Sequence, residues 1–313
     1  MKVAIILFNL GGPDSLEAVQ PFLRNLFSDP AIIGLPAWLR RPLAPFLAWR
    51  RAVKAKRIYA EIGGSSPILG QTEAQARALE AELEGAHDCR GYVCMRYWHP
   101  MTAAVVRAVA RFAPDRIVLL PLYPQFSTTT TGSSFQAWQE LASFKAPTAR
   151  VKSYPTDPGF IAASVELVKE ALAQAGGPRR VLFSAHGLPE KVIRAGDPYQ
   201  AEVEATAAAI AAAIGGLERG ADWTVCYQSR VGPLKWIGPS TEREIRRAGA
   251  DRVSVVVYPV SFVSEHSETL FELDIAYRRL AAQAGVAAYI RVPTVGTHPK
   301  FIRGLADLVR HAL

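Results

Sequence analysis

Within residues 257–275, the short stretch 265–272 follows an apolar run and brings together three carboxylates and one imidazole. They are Glu265, His266, Glu268 and Glu272. In an α-helix, acids at i, i+3 and i+7 lie on one face. Carboxylates held this close repel one another unless a cation, a proton or a basic group lies among them. The spacing indicates metal or proton handling, although the helix dipole alone also favours acids in a first turn.

A second candidate is His186, which ends the apolar run 181–185. Gly187 and Pro189 follow it and favour a turn. Open α/β sheets bind ligands at the carboxyl ends of parallel strands, so His186 is predicted to lie at such an edge. Ser184 invites comparison with serine hydrolases. However, Ser184 and His186 are two residues apart on a strand, which separates them by roughly 7 Å, too far for a hydrogen-bonded nucleophile and base. No G-x-S-x-G elbow surrounds this serine either.

The elements that must position these residues alternate between strand and helix patterns in both halves of the chain. Strands are predicted at 3–8, 90–95, 116–121, 149–152, 181–184, 223–228, 252–258 and 287–291. Helices are predicted near 15–27, 50–60, 71–85, 101–112, 133–144, 158–175, 198–214, 241–248, 266–284 and 298–312. This alternation predicts an α/β fold with parallel sheets. The stretch from Asp115 to Pro124 is echoed from Asp251 to Pro259, which indicates two similar lobes.

Local signals mark several of the predicted helix ends. Gly215-Gly216 and Gly285 are expected to stop the helices that precede them. Thr241 and Glu244 have the spacing of a capping box, which predicts that Thr241 caps the following helix.

Composition narrows the class of protein. The chain has 313 residues, 50% of them hydrophobic, which is enough for two lobes with large cores. Its three cysteines are too few for a disulfide framework and fit a reducing cytoplasm. They are also one short of the four thiolates that usually hold an iron–sulfur cluster, so no cluster is expected. No segment approaches the roughly 20 apolar residues of a membrane span, and no nucleic-acid-binding motif accompanies the net charge of +8.

Much of the positive charge lies beside an apolar, proline-containing stretch at 32–57. The basic residues there are Arg40, Arg41, Arg50, Arg51, Lys54, Lys56 and Arg57. The apolar ones are Ile32, Ile33, Leu35, Trp38, Leu39, Leu43, Phe46, Leu47 and Trp49. This combination is typical of a membrane-interface surface or of the lip of an apolar pocket. A core helix with a solvated basic face remains the alternative.

Ordered motifs along nearly the whole chain resemble those of ferrochelatases, which insert ferrous iron into a porphyrin. In the first half they are Phe8-Asn9-Leu10-Gly11-Gly12-Pro13, Leu26-Phe27-Ser28-Asp29-Pro30, Ile62-Gly63-Gly64-Ser65-Ser66-Pro67, Met95-Arg96-Tyr97 and Leu122-Tyr123-Pro124-Gln125-Phe126-Ser127. In the second half they are Ser184-Ala185-His186-Gly187-Leu188-Pro189, Gln228-Ser229-Arg230-Val231-Gly232-Pro233, Trp236-Ile237-Gly238-Pro239 and Ser264-Glu265-His266-Ser267-Glu268-Thr269-Leu270. Any one of them is a weak signal, whereas the ordered set is specific.

The resemblance implies two Rossmann-like lobes, each a parallel sheet flanked by helices, around a central cleft. Residues 1–152 are expected to form the lobe with the pocket lip, and residues 153–313 the lobe with the metal and proton site. The last helix is expected to cross back to the first lobe. The implied function is insertion of Fe²⁺ into protoporphyrin IX to form protohaem, the last step of haem biosynthesis. No cofactor is expected beyond the substrate iron.

The resemblance also assigns roles to individual residues. His186 and Glu268 are expected to be catalytic. The expected metal ligands are His186, Glu268, Glu265, His266 and Glu272. The expected porphyrin contacts are Leu10, Arg96, Tyr97, Tyr123, Trp236 and Phe262. This chain has Ala276 where many relatives continue the acidic series, and Asp274 is a substitute if the helix is locally widened to a π turn.

Two alternatives to this function stay open at the level of sequence. One is a related chelatase that acts on coproporphyrin or inserts cobalt or nickel. The other is a non-enzymatic bilobal ligand-binding protein. The expected partners are a porphyrin and ferrous iron, with no nucleic acid. The expected location is the cytoplasm, with peripheral contact to the inner face of the membrane.

Overall fold

A computed structural model describes residues 1–85, 87–217, 222–230, 232 and 234–313. The chain forms two compact units. The first consists of Met1–Ser153 with Leu305–Leu313, and the second of Tyr154–Gly304. Within the described residues, no helix combines the length and apolar character needed to cross a bilayer.

The first unit is built on a four-stranded parallel sheet. Its strands are β1 (Lys2–Asn9), β2 (Asp88–Met95), β3 (Arg116–Pro121) and β4 (Thr148–Arg150), in the order β2-β1-β3-β4. Its helices are α1 (Val19–Ser28), α2 (Ala37–Glu61), α3 (Ile68–Glu82), α4 (Thr102–Phe112), the π-helix π1 (Thr128–Gly132) and α5 (Ser133–Leu141). The central strand β1 is buried along nearly its whole length, as its apolar run predicts.

The second unit repeats this strand order. Its strands are β5 (Arg179–His186), β6 (Trp223–Gln228), β7 (Ser254–Pro259) and β8 (Tyr289–Arg291), in the order β6-β5-β7-β8. Its helices are α6 (Pro158–Gln174), α7 (Glu190–Arg194), α8 (Tyr199–Ile214), α9 (Thr241–Ala250), the π-helix π2 (Glu268–Ala276) and α10 (Tyr277–Ala284). A last helix, α11 (Pro299–Ala312), follows β8. The sequence echo falls on β3 and β7, which occupy the same place in the two sheets.

Both faces of the second sheet are covered, and alternate residues of β5 point to opposite faces. Phe183 packs in one apolar cluster with residues of α6 and α8. Leu182 packs in another cluster with Ile245 of α9 and Leu273 of π2. This packing fixes π2 against the sheet. The carboxyl ends of the strands are left as the place where polar side chains gather.

The α/β fold with parallel sheets is confirmed, and the helices differ from the prediction in detail. Gly215 and Gly285 end α8 and α10 with φ of 77° and 78°, as predicted. Helix α2 begins at Ala37, well before the predicted residue 50, and contains two prolines. Its alanine stripe at Ala44, Ala48 and Ala52 is buried, so packing outweighs the cost of the prolines.

The predicted cap of α9 was wrong by one residue. Ser240 is the N-cap, and its hydroxyl accepts a hydrogen bond from the Arg243 backbone N–H. Thr241 is already inside the helix and buried, and its hydroxyl donates to Cys226. The backbone bend therefore lies one residue earlier than the capping-box spacing suggested.

Candidate active site

The candidate site lies at the carboxyl end of the second sheet. His186 is the last residue of β5, and its register partner Gln228 is the last residue of β6. The chain leaves β5 toward β6 on one side and leaves β7 toward β8 on the other. The switch point of the sheet therefore lies between β5 and β7, where open α/β sheets bind their ligands. His186 and the loop 260–267 flank this point.

His186 is fixed by both its ring and its backbone. Its Nδ1 lies 2.8 Å from Oε2 of Glu268. Its backbone N–H donates to Ser261 Oγ at 3.3 Å, and its carbonyl accepts from the Tyr199 hydroxyl at 3.0 Å. An ionised carboxylate only accepts, so Nδ1 carries the hydrogen and Nε2 is the basic nitrogen of the neutral ring.

The two partners shift each other's pKa in opposite directions. Burial opposes the charged form of His186, but the Glu268 carboxylate outweighs it and raises the pKa of His186 above 6.5. Burial likewise opposes ionisation of Glu268, but His186 outweighs it, and the pKa of Glu268 falls to about 2. Glu268 is therefore ionised at neutral pH.

Among the described residues, the hydrogen-bond donors to Glu268 all bind the same carboxylate oxygen. Both of its side-chain hydrogen bonds, from His186 Nδ1 and from Ser229 Oγ at 2.9 Å, fall on Oε2. Within the described residues, no hydrogen bond reaches Oε1. Its side chain is 23% exposed. An oxygen that is charged, partly exposed and not bound by a donor can accept a cation or a proton.

Glu272, four residues along π2, is bound quite differently. Its Oε1 accepts from the Ser229 backbone N–H and from the Tyr277 hydroxyl, both at 2.9 Å. Its Oε2 accepts from Gln228 Nε2 at 3.2 Å and from Ser229 Oγ at 2.5 Å. A carboxylate offers about four acceptor positions, so these four contacts, one of them from a hydroxyl shared with Glu268, occupy all of those of Glu272. Burial and the neighbouring Glu268 raise the pKa of Glu272.

Glu265 does not share a helix face with Glu268, which corrects the predicted i, i+3, i+7 arrangement. It precedes π2, and its Oε1 lies 2.5 Å from Arg291 Nη1 and accepts from the Thr294 backbone N–H at 2.9 Å. Burial opposes its ionisation, but Arg291 outweighs it and lowers the pKa of Glu265. Arg291 also donates to both carboxylate oxygens of Asp274, at 3.0 and 2.6 Å. Arg291 therefore forms ion pairs with both acids.

His266 is buried beside the site. Its Nδ1 lies 3.2 Å from the Ser264 carbonyl, and its ring centroid lies 4.5 Å from that of Phe262. Burial lowers the pKa of His266, which keeps the ring neutral at neutral pH. Across the described chain, no three His, Cys, Asp or Glu side chains form a group able to hold a metal ion.

The acidic helix is a π-helix for nine residues, as the widening hypothesis anticipated. The Tyr277 N–H bonds the carbonyl of Glu272, five residues earlier. Asp274 does not replace the acid missing at Ala276, because both its oxygens bind Arg291.

The predicted porphyrin contacts of the first unit follow the ends of its strands. Leu10 comes after β1, Arg96 and Tyr97 after β2, and Tyr123 after β3. Leu10 and Tyr123 are half-buried. All four residues therefore belong to the carboxyl edge of this sheet. His186 lies at the equivalent edge of the second sheet.

Arg96 and Tyr97 bind a buried acid that sequence reasoning did not single out. Asp29 accepts from the Tyr97 hydroxyl at 2.7 Å and from Arg96 Nη2 at 2.7 Å. The hydroxyl of Ser133 lies 2.5 Å from the same oxygen. Tyr97 is 1% exposed.

 The signal that could have found this acid is the motif Leu26-Phe27-Ser28-Asp29-Pro30, because it places an acid on a loop after α1 that can pair with the guanidinium of Arg96.

The remaining predicted contacts lie in the second unit. Trp236 and Phe262 are both half-buried, and Trp236 forms an isolated bridge with Pro189. Val231 and Pro233, which belong to a motif used for the resemblance, lie outside the described residues. Sequence reasoning gave no role to Ser229, although it lies in that motif, or to Arg291, which no motif marks.

Comparison with known proteins shows which family the chain belongs to. The family model described as Ferrochelatase matches residues 2–313. The chain is 57% identical to a ferrochelatase of Caulobacter vibrioides, covering 100% of this chain and 90% of that protein. It is 53% identical to a ferrochelatase of Phenylobacterium zucineum, with coverages of 100% and 92%.

Solved structures show the same fold at low identity. SirB from Bacillus subtilis with Fe³⁺ is similar with a TM-score of 0.55 and 14% identity, covering 100% of this chain and 96% of that one. CbiX, described as the terminal enzyme for biosynthesis of siroheme in denitrifying bacteria, is similar with a TM-score of 0.53 and 18% identity, covering 100% of both chains.

Proposed function

The chain belongs to the ferrochelatase family, and we propose that it inserts Fe²⁺ into protoporphyrin IX with His186 and Glu268 as its catalytic pair. The observation that carries this proposal is the 2.8 Å contact between His186 Nδ1 and Glu268 Oε2 at the switch point of the second sheet. It combines a base with an acid whose second oxygen accepts no hydrogen bond from the part of the chain that the structure describes.

The reaction needs a base but no redox partner. Two pyrrole N–H bonds break, the iron binds the ring nitrogens without changing its oxidation state, and two protons leave. His186 accepts a pyrrole proton at Nε2, and Glu268 stabilises the imidazolium that results. Because the pKa of His186 is raised, the fraction of the basic form grows as pH rises through neutrality.

The incoming ion is a substrate, and the described residues of the site offer it few carboxylate oxygens that no hydrogen-bond donor contacts. Glu268 Oε1 is one of them, and His186 Nε2 offers an imidazole nitrogen until it accepts a pyrrole proton. Glu272 is saturated by four donors, and Arg291 binds Glu265. We therefore assign metal handling to His186 and Glu268, and an anchoring role to Glu265 and Glu272. The porphyrin contacts implied by the resemblance stay predictions.

Helix α2 supports peripheral membrane contact as a further part of the proposal. Trp38 is 73% exposed, Trp49 63% and Phe46 52%, and Arg41 and Arg50 are exposed beside them. Exposed aromatic side chains among cations suit an anionic membrane interface, where rings enter the headgroup region and arginines meet phosphates. Pure core packing does not account for these exposures.

The test is anaerobic incubation of the protein with Fe²⁺ and either protoporphyrin IX or coproporphyrin, followed by absorbance. We expect metalloporphyrin to form from protoporphyrin IX well above the protein-free rate. His186→Ala should abolish turnover while porphyrin affinity stays within a few-fold, because this side chain is assigned to proton transfer. Faster turnover of coproporphyrin would refute the substrate assignment, and full activity of His186→Ala would refute the assigned base.

A further inference from the structure

Ser229 has a backbone conformation that its residue type disfavours. Its φ is 61°, in the left-handed region that favours glycine. Residues other than glycine that are held in this conformation are found most often at active sites and ligand-binding segments. Ser229 is the first residue after β6, so the bend lies at the carboxyl edge where His186 ends β5.

The bend lets one residue contact two carboxylates. The Ser229 N–H donates to Glu272 Oε1 at 2.9 Å. Its hydroxyl oxygen lies 2.9 Å from Glu268 Oε2 and 2.5 Å from Glu272 Oε2. Two acids four residues apart repel each other. The hydroxyl has a single hydrogen, so it binds the two carboxylates as a shared (bifurcated) donor and holds them at a fixed separation.

The neighbours of Ser229 hold it in place. Gln228 Nε2 donates to the Glu268 carbonyl at 3.0 Å, and its Oε1 accepts from the buried Ser184 hydroxyl at 2.8 Å. The Gly187 N–H donates to the Gln228 carbonyl at 2.9 Å. A Cβ at Gly187 would lie 2.8 Å from that carbonyl oxygen, so the approach requires glycine. The end of β6 is thus tied to the end of β5.

We infer that Ser229 is a positioning residue whose hydroxyl holds the Glu268 carboxylate against His186. Oε2 of Glu268 receives the His186 ring on one side and the Ser229 hydroxyl on the other. Without the hydroxyl, the Glu268 side chain keeps one fixed contact instead of two and rotates more freely. The inference rests on the proposed function, because Ser229 acts only through Glu268.

Two variants separate the hydroxyl from the backbone. Ser229→Gly removes the hydroxyl but suits φ of 61°, whereas Ser229→Ala removes the hydroxyl and keeps the unfavourable conformation. We expect both to lower kcat by roughly 10- to 100-fold, the range for a hydrogen bond to a charged group. The KM for porphyrin should stay within about twofold. Ala113→Gly is the matched control, because Ala113 also has positive φ, 52°, in the first unit.

A second background tests whether Ser229 acts through Glu268. Glu268→Asp shortens the side chain and withdraws the carboxylate from Ser229. Adding Ser229→Gly to it should then change kcat by less than about twofold, since coupled residues are not additive. A full additional loss would overturn the inference, as would wild-type kcat in Ser229→Gly alone. Loss in the alanine variant only would mean that the backbone matters and the hydroxyl does not. If the wild type and Ala113→Gly form no metalloporphyrin, the proposed function itself fails.

Discussion

Replacing Glu272 with glutamine distinguishes an anchor from a metal relay site. Glutamine keeps the shape of the side chain but exchanges one acceptor oxygen for an NH₂ donor. At the Oε1 position this NH₂ meets the Ser229 N–H, and at the Oε2 position it meets Gln228 Nε2. The hydroxyls of Tyr277 and Ser229 can rotate to accept, but an N–H cannot. Either orientation leaves one donor facing another.

The size of the effect follows from that mismatch. A buried donor without an acceptor costs about 1–3 kcal/mol, and relief of the repulsion from Glu268 offsets part of it. A net loss of about 2 kcal/mol should lower Tm by about 5 °C in a protein with units of this size. Because Glu272 is already saturated, the Fe²⁺ concentration for half-maximal rate should change by less than about twofold.

The assay pairs thermal unfolding with initial rates over a series of Fe²⁺ concentrations. Glu170→Gln, an exposed acid on α6, is the matched control and should change neither quantity. A tenfold rise in the half-maximal Fe²⁺ concentration at unchanged Tm would refute the anchoring role. That result would restore Glu272 to a metal path.

Three further outcomes are expected. Glu268→Gln removes the charge that raises the pKa of His186, so burial then lowers that pKa. The acid limb of the pH profile of kcat/KM should therefore move to lower pH, and an unmoved limb would contradict the pairing of His186 with Glu268. Trp38→Ala should weaken binding to anionic vesicles several-fold, and binding of the wild type to these vesicles should fall with added salt. Salt-independent binding of the wild type that is equally strong to anionic and to neutral vesicles would exclude the membrane role. Gly249→Ala should lower Tm by about 5 °C in calorimetry, because its Cβ would lie 2.1 Å from a carbonyl oxygen of α10. Gly70→Ala is the control and should leave Tm unchanged, because the space around Gly70 is open. Equal Tm values for the two variants would contradict the packing.

The sheets and the place of His186 were predictable because they follow from local patterns. Apolar runs bounded by turn residues predicted all eight strands within a few residues. Since the carboxyl ends of parallel strands meet at one edge, the end of the run at His186 was enough to place it at that edge. The pattern is short-range, so a single sequence contains it.

The partners of the acids could not be predicted, because they depend on contacts distant in the chain. Glu265 meets Arg291, which lies 26 residues later, and Asp29 meets Ser133, which lies 104 residues later. Helical spacing assumed that Glu265 continued the helix of Glu268. The chain instead turns before π2, where Arg291 binds Glu265.

The number of donors around each carboxylate explains why a cluster of acids need not be a cluster of metal ligands. Glu272 has four hydrogen-bond contacts, one of them shared with Glu268 through the Ser229 hydroxyl, and both oxygens of Asp274 bind Arg291. A cation competes for the same lone pairs, so it would have to break these buried bonds before binding. Glu268 requires no such exchange, because both of its bonds fall on Oε2. In the proposed mechanism, the surrounding acids fix π2 and its neighbouring loops, and Glu268 is the carboxylate that responds to an ion or a proton beside His186.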